Sequence, residues 1–462
     1  MRKQWILKQT DPALVAGLAK ASGLSPVTAS ILVSRGMTEP EQVTSFLTPS
    51  LAGMLDPFLM AGMEQAIVRL AAARAANEQV CIYGDYDVDG ISATALLVSG
   101  FRAMGLQVGY HIPNRMEDGY GLNSDALRLI RERGMQLAIS VDCGVTAIEE
   151  AILCRNIGLD LIITDHHQPL EQLPDAVAVI NPHRPDCCYP FKGLAGVGVA
   201  FNLLVALRSR LREQGVWGDN GPDLRQWLDL VALGTIADLV PLVEQNRLLT
   251  TAGLQRMGEG CRIGLAALKQ VAGVKGQVSS GQVGFQLAPR LNAAGRLESA
   301  VPGVELLLTD DPQQAAALAE ELDGANLERR QVERRMFEQA IALIEAQGGV
   351  EQRKSIVLSS PDWHQGVVGI VASRMVERYY RPTILVAERE DGSGKGSGRS
   401  ISGFHLLDAL HDCSTHLERY GGHRAAAGVT VKPGQMAAFA ATFEQAAADR
   451  KSTRLNSSHD QI

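Results

Sequence analysis

The sequence predicts an α/β protein with a doubly wound parallel sheet, a helical insert, a long connecting helix and a second, smaller α/β domain. Three observations support this prediction. Short apolar runs alternate with helical stretches over residues 79–163, which is typical of parallel strands covered by helices on both faces. Helical periodicity then continues over 195–275 and 311–348. Apolar runs that alternate with a helical stretch return after residue 355.

These patterns divide the 462 residues into five segments. We expect an N-terminal helical region (1–75), a sheet domain with its insert (76–310), the connecting helix (311–348), a second α/β domain (349–450) and a polar, aperiodic tail (451–462). The connecting helix is predicted to begin at Asp311-Pro312, because an acidic cap followed by proline in the first turn favours helix initiation. A hydrophobic content of 46% suffices for two or three domains, each with its own core.

The composition narrows the class of protein. A net charge of -7 argues against a generic basic coat for nucleic acid, although a local arginine cluster can still bind phosphate. The seven cysteines form no CxxC pair, which disfavours a disulfide framework or a thiolate zinc site and fits a reducing cytoplasm. No uninterrupted apolar run reaches about 18 residues. We therefore expect a soluble, cytoplasmic protein without a membrane segment.

Carboxylates alternate along the chain directly after the first predicted strand, in Gly84-Asp85-Tyr86-Asp87-Val88-Asp89-Gly90. Three carboxylates this close repel one another, so a bound cation would stabilise them at neutral pH. A solvated acidic turn is the alternative. An EF-hand calcium loop is excluded because its twelfth position, counted from Asp85, is Leu96 rather than glutamate, and because a strand precedes the loop.

Polar residues also follow the next strands of the predicted sheet. Asp142 ends one apolar run, where it either caps the next helix or meets a cation. Asp165-His166-His167 ends another, and two imidazoles beside a carboxylate suit Mn, Fe or Zn better than calcium. Asp238 alone is equally compatible with an ordinary helix end. Because ligands collect at the carboxyl ends of parallel strands, we expect these groups to meet.

Together these residues form a candidate ligand set for two divalent cations with Asp142 between them. The set comprises Asp85, Asp87, Asp89, Asp142, His166 and Asp238. Two metals about 3.5 to 4 Å apart commonly promote in-line attack of water on phosphorus. The set therefore indicates a phosphoester or phosphoanhydride hydrolase.

At this point the sequence resembles the DHH phosphoesterase superfamily, and most closely the RecJ single-strand exonucleases, over about residues 10–448. The resemblance rests on an ordered set of motifs, namely Gly84 to Gly90, Val141-Asp142-Cys143-Gly144, Asp165-His166-His167, Gly234-Thr235-Ile236-Ala237-Asp238, Pro289 to Arg296, Trp363 to Ile370, Ser397-Gly398-Arg399-Ser400 and Gly421-Gly422-His423. It implies that 76–310 is a DHH catalytic domain and that 349–450 is a DHHA1 substrate-binding domain.

The resemblance implies a role for each matching residue. Asp87, Asp89, Asp142, His166 and Asp238 would bind two cations, Mn²⁺ or Mg²⁺, with Asp85 in or beside the site. His167 would contact a metal or the scissile phosphate, and Asp165 would orient a histidine. The residues with a catalytic role would be Asp142, His167, Asp87 and Asp89.

The second domain is expected to bind phosphate across a cleft from the metals. Ser397 and Arg399, together with Arg115 and Arg296, would hold the 5′ terminal phosphate, as RecJ relatives do. Gly422 would let backbone amides approach a phosphate to which His423 donates. The alternative for the segment with Ser397 and Arg399 is a flexible hairpin, and the alternative for the segment with Gly422 and His423 is a tight glycine turn. Trp363 and Tyr120 are candidates for base stacking, although core packing explains Trp363 at least as well.

The resemblance implies a metal-dependent 5′-to-3′ exonuclease that hydrolyses single-stranded DNA to mononucleotides in repair and recombination. The alternatives are a small-substrate DHH phosphodiesterase, acting on oligoribonucleotides or cyclic dinucleotides, and a non-catalytic replication scaffold. Expected partners are single-stranded DNA with a 5′ phosphate, a single-strand-binding protein and a helicase, and the protein is expected to be a monomer. RecJ relatives continue into an OB-fold where this sequence ends in its polar tail, so we expect reduced DNA affinity and processivity.

Overall fold

The computed structural model describes residues 7–115, 121–218, 220–260 and 262–455. The chain divides into two compact units. The first comprises Met1–Gly295 and Ser299–Leu322, and the second comprises Arg296–Glu298 and Asp323–Ile462.

The first unit begins with short helices, as the periodicity predicted. They are α1 (Pro12–Ser22), α2 (Pro26–Ser34), α3 (Pro40–Leu47) and α4 (Met63–Ala75). Proline opens each of the first three helices, where its missing N–H costs no hydrogen bond. Asp11 and Ser25 cap the first two by accepting from backbone amides of the first turn.

A five-stranded parallel sheet forms the centre of the first unit, which confirms the predicted doubly wound fold. Its strands are β1 (Gln79–Tyr83), β2 (Gln107–His111), β3 (Leu137–Val141), β4 (Asp160–Thr164) and β5 (Ala178–Ile180), in the order β2-β1-β3-β4-β5. The crossover helices are α5 (Val88–Ala103), α6 (Ser124–Glu132) and α7 (Ile148–Ile157). The register pairs Val80 with Leu137 and Leu137 with Asp160, so β1, β3 and β4 end nearly level.

A helical insert covers one face of this sheet. Its helices are α8 (Gly196–Glu213), α9 (Leu228–Ala237), α10 (Glu244–Gly260), α11 (Ile263–Val271), α12 (Ser280–Gln282), a π-helical turn (Val283–Leu287), α13 (Ala288–Leu297) and α14 (Val301–Leu308). Helix α5 is buried over nearly its whole length between the sheet and the insert. A buried ion pair of Asp229 with Arg262 ties α9 to the start of α11.

A helix of 35 residues, α15 (Pro312–Ala346), follows. Asp311 caps it by accepting from the N–H of Gln313, which is the start that the sequence predicted. Its first turns add Ala315, Leu318 and Leu322 to the core of the first unit. Its later turns add Met336 and Ala340 to a core of the second unit.

The second unit is a mixed α/β sandwich. Its elements are β6 (Ile356–Ser360), α16 (Val368–Tyr379), β7 (Thr383–Glu388), β8 (Gly394–Arg399), α17 (Leu406–Asp412), β9 (Leu417–Gly422), β10 (Ala426–Val431) and α18 (Met436–Leu455). The strand order is β6-β7-β8-β10-β9, with β6 parallel to β7 and the remaining pairs antiparallel. Helix α18 extends to Leu455, so the first five residues of the predicted tail are helical.

Strand β8 alternates glycines with polar residues, in Gly394-Lys395-Gly396-Ser397-Gly398-Arg399. The glycines are buried, and their lack of side chains admits close packing. A Cβ on Gly396 would lie 2.8 Å from Leu385 O, and one on Gly398 would lie 3.0 Å from Leu406 Cδ2. Ser397 and Arg399 therefore extend from the other face of the strand. The segment is the second strand of an antiparallel hairpin with β7.

Two further findings concern the cysteines and the apolar helices. Each cysteine that the structure describes carries a free thiol. Among the helices of the described ranges, none could cross a membrane singly by length and hydropathy; one bent pair, α1 with α2, meets that criterion when its two helices are taken together.

Candidate functional site

Acidic residues meet at the carboxyl edge of the parallel sheet. Asp85 follows β1, Asp142 follows β3 and Asp165 follows β4, and each is at most 2% exposed. These three strands are neighbours in the sheet. The edge therefore gathers buried carboxylates in one place, as the positions of the strand ends predicted.

The loop between β1 and α5 uses part of its carboxylate set to hold its own shape. Asp85 Oδ1 accepts from the N–H of Tyr86 at 2.8 Å. Asp87 is the N-cap of α5, and its Oδ1 accepts from the N–H groups of Asp89 and Gly90 at 3.0 and 3.2 Å. The second oxygen of Asp87 takes part in neither bond. The loop is thus ordered by hydrogen bonds from backbone amides to its own carboxylates in a strand-to-helix turn.

Asp89 is held by a different element of the first unit. Its Oδ2 accepts from the N–H of Gly196 at 2.6 Å and its Oδ1 from the N–H of Val197 at 3.0 Å. Both amides belong to the first turn of α8, where backbone N–H groups lack helical partners and favour an anion. Sequence reasoning did not predict this contact. The only signal is a glycine-rich stretch, Gly193-Leu194-Ala195-Gly196-Val197-Gly198, before a helix.

Asp142 does not cap the helix that follows it. Helix α7 begins at Ile148, and its N-cap is Ala147. The capping alternative for Asp142 is therefore wrong. Asp142 has a φ of 62°, in the left-handed region that non-glycine residues rarely occupy. Strained backbone of this kind is concentrated at functional sites.

His166 lies between two acidic residues. Its Nε2 is 3.1 Å from Asp142 Oδ1 and 3.6 Å from Asp238 Oδ2. Asp238 is the C-cap of α9, so the insert brings this carboxylate to the sheet edge. Within the residues that the structure describes, His166 Nε2 and Asp238 Oδ2 are buried without a hydrogen-bond partner. A bound ion is one explanation for buried polar atoms of this kind.

Asp165 orients the second histidine. Its Oδ1 lies 2.7 Å from His167 Nδ1 and also accepts from the N–H groups of His166 and His167. Its Oδ2 accepts from the N–H of Val145 at 2.8 Å. The side chain of Asn181, after β5, donates to His167 O at 2.8 Å. These bonds fix the ring of His167 with Nδ1 on Asp165 and Nε2 on the other side.

Three groups of side chains have ligand atoms within 4.8 Å of one another. They are Asp142 with His166 and His167, Asp89 with His166 and Asp238, and Asp85 with Asp87 and Asp142. Asp142 and His166 each belong to two of these groups. Adjacent groups of this kind suit a pair of neighbouring cations.

The electrostatics of this cluster favour bound cations. Burial raises the pKa of Asp85, Asp89 and Asp142 well above the ordinary value, and the neighbouring carboxylates raise it further. Burial and the charge of Asp87 raise the pKa of Asp238 to about 7. A divalent cation would reverse these shifts, because it stabilises the ionised forms.

The two histidines titrate in opposite directions. Burial lowers the pKa of His166 to about 4, so this ring is neutral at pH 7 and able to act as a ligand. Burial also disfavours the charged form of His167, but its hydrogen bond with Asp165 and the negative charges of Asp165, Asp238 and Asp85 together outweigh burial and raise the pKa to about 9. The same bond lowers the pKa of Asp165. The donor set of carboxylate oxygens and one neutral imidazole fits Mn²⁺ or Mg²⁺.

Arg115 lies beside the acidic loop. Its guanidinium is 4.7 Å from the centre of the Tyr86 ring, and its charge acts to lower the pKa of Asp85. The structure thus brings this predicted phosphate-binding residue next to the carboxylate cluster. Tyr120, the candidate for base stacking, lies outside the described residues.

In the second unit, three predicted phosphate-binding residues gather around the first turn of α16. Arg399 Nη1 donates to Ser397 Oγ at 2.8 Å, and a Cβ on Gly369 would lie 3.0 Å from both side chains. Arg296 Nη1 lies 3.4 Å from Gly366 O, just before this helix. Arginine and serine side chains at a helix N-terminus are typical of anion binding.

The hairpin of β9 and β10 carries His423 in the same sheet. Ala426 pairs with Arg399, and the N–H of His423 donates to Ala426 O at 2.7 Å. Two strand spacings, about 10 Å, separate β9 from β8. The N–H of His423 is used within the hairpin, so anion recognition here would rest on the imidazole and on Gly422, whose φ is 143°. Trp363 is buried and donates to Gln339 Oε1, which supports core packing rather than base stacking.

Comparison with known protein families identifies both units. The DHH family, N-terminal domain, matches residues 79–235, and the DHHA1 domain matches residues 352–449. The single-stranded-DNA-specific exonuclease RecJ of Bacillus subtilis is 44% identical over 433 residues, which are 93% of this chain. RecJ of Escherichia coli is 41% identical over 96% of this chain.

Solved structures agree with these relationships. RecJ from Thermus thermophilus in complex with Mn²⁺ superposes with a TM-score of 0.83 at 34% identity and covers 96% of this chain. A RecJ exonuclease bound to manganese gives a TM-score of 0.74 at 37% identity and covers 86% of this chain. The Thermus protein has also been solved with Mg²⁺.

The chain matches different shares of these proteins. It spans 53% of the Bacillus subtilis protein, 78% of the Escherichia coli protein and 62% of the Thermus chain in complex with Mn²⁺. Both matched domains occur in the expected order, and the similarity extends over nearly the whole of this chain. The chain therefore belongs to the RecJ family of DHH-domain proteins.

Proposed function

We propose that this chain is a metal-dependent exonuclease that hydrolyses single-stranded DNA from its 5′ end to mononucleotides. One observation carries the proposal: Asp85, Asp87 and Asp142 form one candidate ligand group at the edge of the sheet, Asp89, His166 and Asp238 form another, and His166 Nε2 is 3.1 Å from Asp142 Oδ1. That arrangement suits a pair of divalent cations, and such pairs promote hydrolysis of phosphodiesters. The RecJ relatives, named as single-stranded-DNA-specific exonucleases, support the choice of substrate.

The proposed ligands are Asp85, Asp87, Asp89, Asp142, His166 and Asp238. When bound, the cations would supply Lewis-acid activation of water and neutralise charge on the phosphate. Asp87 and Asp89 also fix the turn from β1 into α5 and its contact with α8. The backbone of the chain therefore holds these ligands in place before any cation binds.

His167 is proposed to bind the scissile phosphate rather than a metal. In the absence of a cation its pKa of about 9 keeps a proton on both ring nitrogens at pH 7. Asp165 holds the proton on Nδ1, which leaves the Nε2–H to donate to a phosphate oxygen. The side chain of His167 is 36% exposed and that of His166 is 12% exposed, in keeping with the two roles.

The second unit is proposed to bind the 5′ terminal phosphate through Arg296, Ser397 and Arg399, with Arg115 of the first unit as a further phosphate-binding residue. Gly422 and His423 would contact another phosphate oxygen. We retain the domain boundaries given above (1–75, 76–310, 311–348, 349–450 and 451–462). We also propose a cytoplasmic monomer that acts in repair and recombination with a single-strand-binding protein and a helicase.

Digestion of labelled oligonucleotides tests this proposal. Single-stranded DNA with a 5′ phosphate, duplex DNA, RNA and a cyclic dinucleotide are incubated with the protein in Mn²⁺, Mg²⁺ or EDTA. We expect mononucleotides from single-stranded DNA alone, in the presence of either cation. Asp142→Ala should abolish the activity, whereas Asp175→Ala, at an exposed ion pair with Arg155, should not. Activity in the Asp142 variant, or preference for the cyclic dinucleotide, would contradict the proposal.

A further inference from the structure

The first turn of α8 contacts two of the buried carboxylates at once. The N–H groups of Gly196 and Val197 donate to Asp89, as described above. The same turn lies against Asp142. A Cβ on Gly196 would be 2.5 Å from Asp142 Oδ1, 2.7 Å from its Cβ and 2.8 Å from its Cγ. All three distances are too short for real side chains, so no residue larger than glycine fits without displacing Asp142.

Asp142 has little freedom to move away from such a side chain. Its backbone is in the left-handed region and its side chain is 4% exposed. The N–H of Asp142 donates to Thr164 O at 3.0 Å, which ties it to the neighbouring strand. A group on Gly196 would therefore displace the carboxylate from its position beside His166.

Asp89 is confined in a similar way by α9. A Cβ on Gly234 would lie 2.6 Å from Asp89 Oδ1 and 2.8 Å from Val197 Cγ1. Glycines on two helices of the insert thus allow the helices to approach the two carboxylates closely. Gly234 touches both Asp89 and a core side chain, whereas the closest approaches to a Cβ on Gly196 come from Asp142 alone.

We propose that Gly196 is a positioning residue for the metal centre: its amide holds Asp89, and its missing side chain leaves Asp142 the space to share cations with the groups around it. The inference rests on the ligand set of the proposed function. Helix propensity alone predicts that Gly196→Ala stabilises the protein, because alanine stabilises a helix by about 1 kcal/mol relative to glycine. Crowding of Asp142 predicts a loss of stability and weaker cation binding instead, so experiment can separate helix propensity from crowding.

The first test measures Mn²⁺ binding directly, by calorimetry and by electron paramagnetic resonance, in Gly196→Ala and in Gly198→Ala. Gly198 is a matched control two residues along the same helix, where a Cβ would meet Leu194 Cδ2 at 3.2 Å and none of the carboxylates. We expect Gly196→Ala to weaken Mn²⁺ binding about tenfold or more, as displacing a supporting contact of a ligand typically does. Gly198→Ala should bind Mn²⁺ with the affinity of the unsubstituted protein.

The outcomes separate the inference from the proposed function. Equal Mn²⁺ binding by the two glycine variants overturns the role of Gly196 and leaves the ligand set intact. Failure of the unsubstituted protein to bind Mn²⁺ overturns the ligand set and this inference together.

A second variant keeps the test decisive if Gly196→Ala folds poorly. Asp142→Gly removes every Asp142 atom that a Cβ on residue 196 would strike and also relieves the left-handed backbone. We expect Gly196→Ala to lower Tm by about 3 °C or more in the otherwise unsubstituted protein, which is typical of overpacking. In the Asp142→Gly background, Gly196→Ala should lower Tm no more than Gly198→Ala does. An equal loss of Tm in both backgrounds would place the strain elsewhere and overturn the inference.

Discussion

Replacement of Asp165 by asparagine should change the protonation of His167 without changing the shape of the site. Asp165 Oδ1 accepts from three N–H donors, including His167 Nδ1, and its Oδ2 accepts from Val145. An asparagine would keep its oxygen toward the three donors, which turns its amide group toward the N–H of Val145. The charge that stabilises the imidazolium is then lost, and one amide is left without an acceptor.

The size of the effect follows from the pKa of His167. With a pKa of about 9, about 97% of this residue is charged at pH 7.5, whereas about 9% would be charged at the ordinary value of 6.5. Once the Asp165 charge is gone, burial acts against the remaining charges of Asp238 and Asp85, so we expect the pKa to fall toward the ordinary value of about 6.5. A phosphate would then face a neutral donor, and we expect kcat to fall about 10- to 100-fold.

Nuclear magnetic resonance titration of the histidine ring protons in EDTA measures this pKa, and single-turnover digestion of DNA at saturating Mn²⁺ measures the rate. Asp175→Asn is the control, because its exposed ion pair lies outside the carboxylate cluster. A His167 pKa that remains near 9 in Asp165→Asn would refute the assigned cause of the shift. A normal pKa in the variant together with an unchanged kcat would refute the role of the imidazolium in the reaction.

Three further predictions concern the phosphate site, the acidic cluster and the sheet of the second unit. Arg399→Lys should raise the KM for 5′-phosphorylated DNA about tenfold or more and leave the KM for 5′-hydroxyl DNA unchanged, because lysine cannot bind phosphate through two parallel bonds; equal changes for both substrates would contradict the assignment. In EDTA, Tm should fall as pH rises from 5 to 8, because the pKa of a carboxyl such as Asp238 is raised to about 7 in the folded protein. Such a carboxyl stabilises the fold below its unfolded pKa and loses that contribution as pH rises through 7. Mn²⁺ should remove this fall in Tm, and a Tm that rises with pH in EDTA would contradict the prediction. Gly396→Ala should lower the free energy of unfolding by about 1–3 kcal/mol, whereas Gly428→Ala on the paired strand, where a Cβ meets nothing within 4 Å, should change it little. Denaturant titration measures both variants, and equal losses of free energy of unfolding would argue against close packing at β8.

The parallel sheet and its acidic edge were predictable because their signals are local. Apolar runs mark β1, β3 and β4, and a polar residue after each run marks the strand end. Strand β8 was not predicted, since glycine at alternate positions removes the hydrophobic alternation by which strands are recognised. The three residues of β5 are too few to show a period.

Contacts between distant parts of the chain could not be predicted from the sequence. Asp89 and Gly196 are 107 residues apart, and nothing in either segment indicates that one binds the other. The left-handed backbone of Asp142 is also set by the tertiary structure, because aspartate adopts that region more often than most non-glycine residues but still only occasionally. The use of the His423 N–H within a hairpin depends on a strand pairing that glycine-rich sequence does not reveal.

The left-handed conformation of Asp142 has a consequence for how variants of this protein would be selected. Glycine occupies that region without strain and brings no buried carboxyl group, so Asp142→Gly should withstand heat better than the unsubstituted protein in the absence of cations. A screen that scores thermal tolerance alone would therefore enrich chains that have lost the carboxylate shared by two ligand groups. Screens of this chain need a metal-binding readout beside the melting curve.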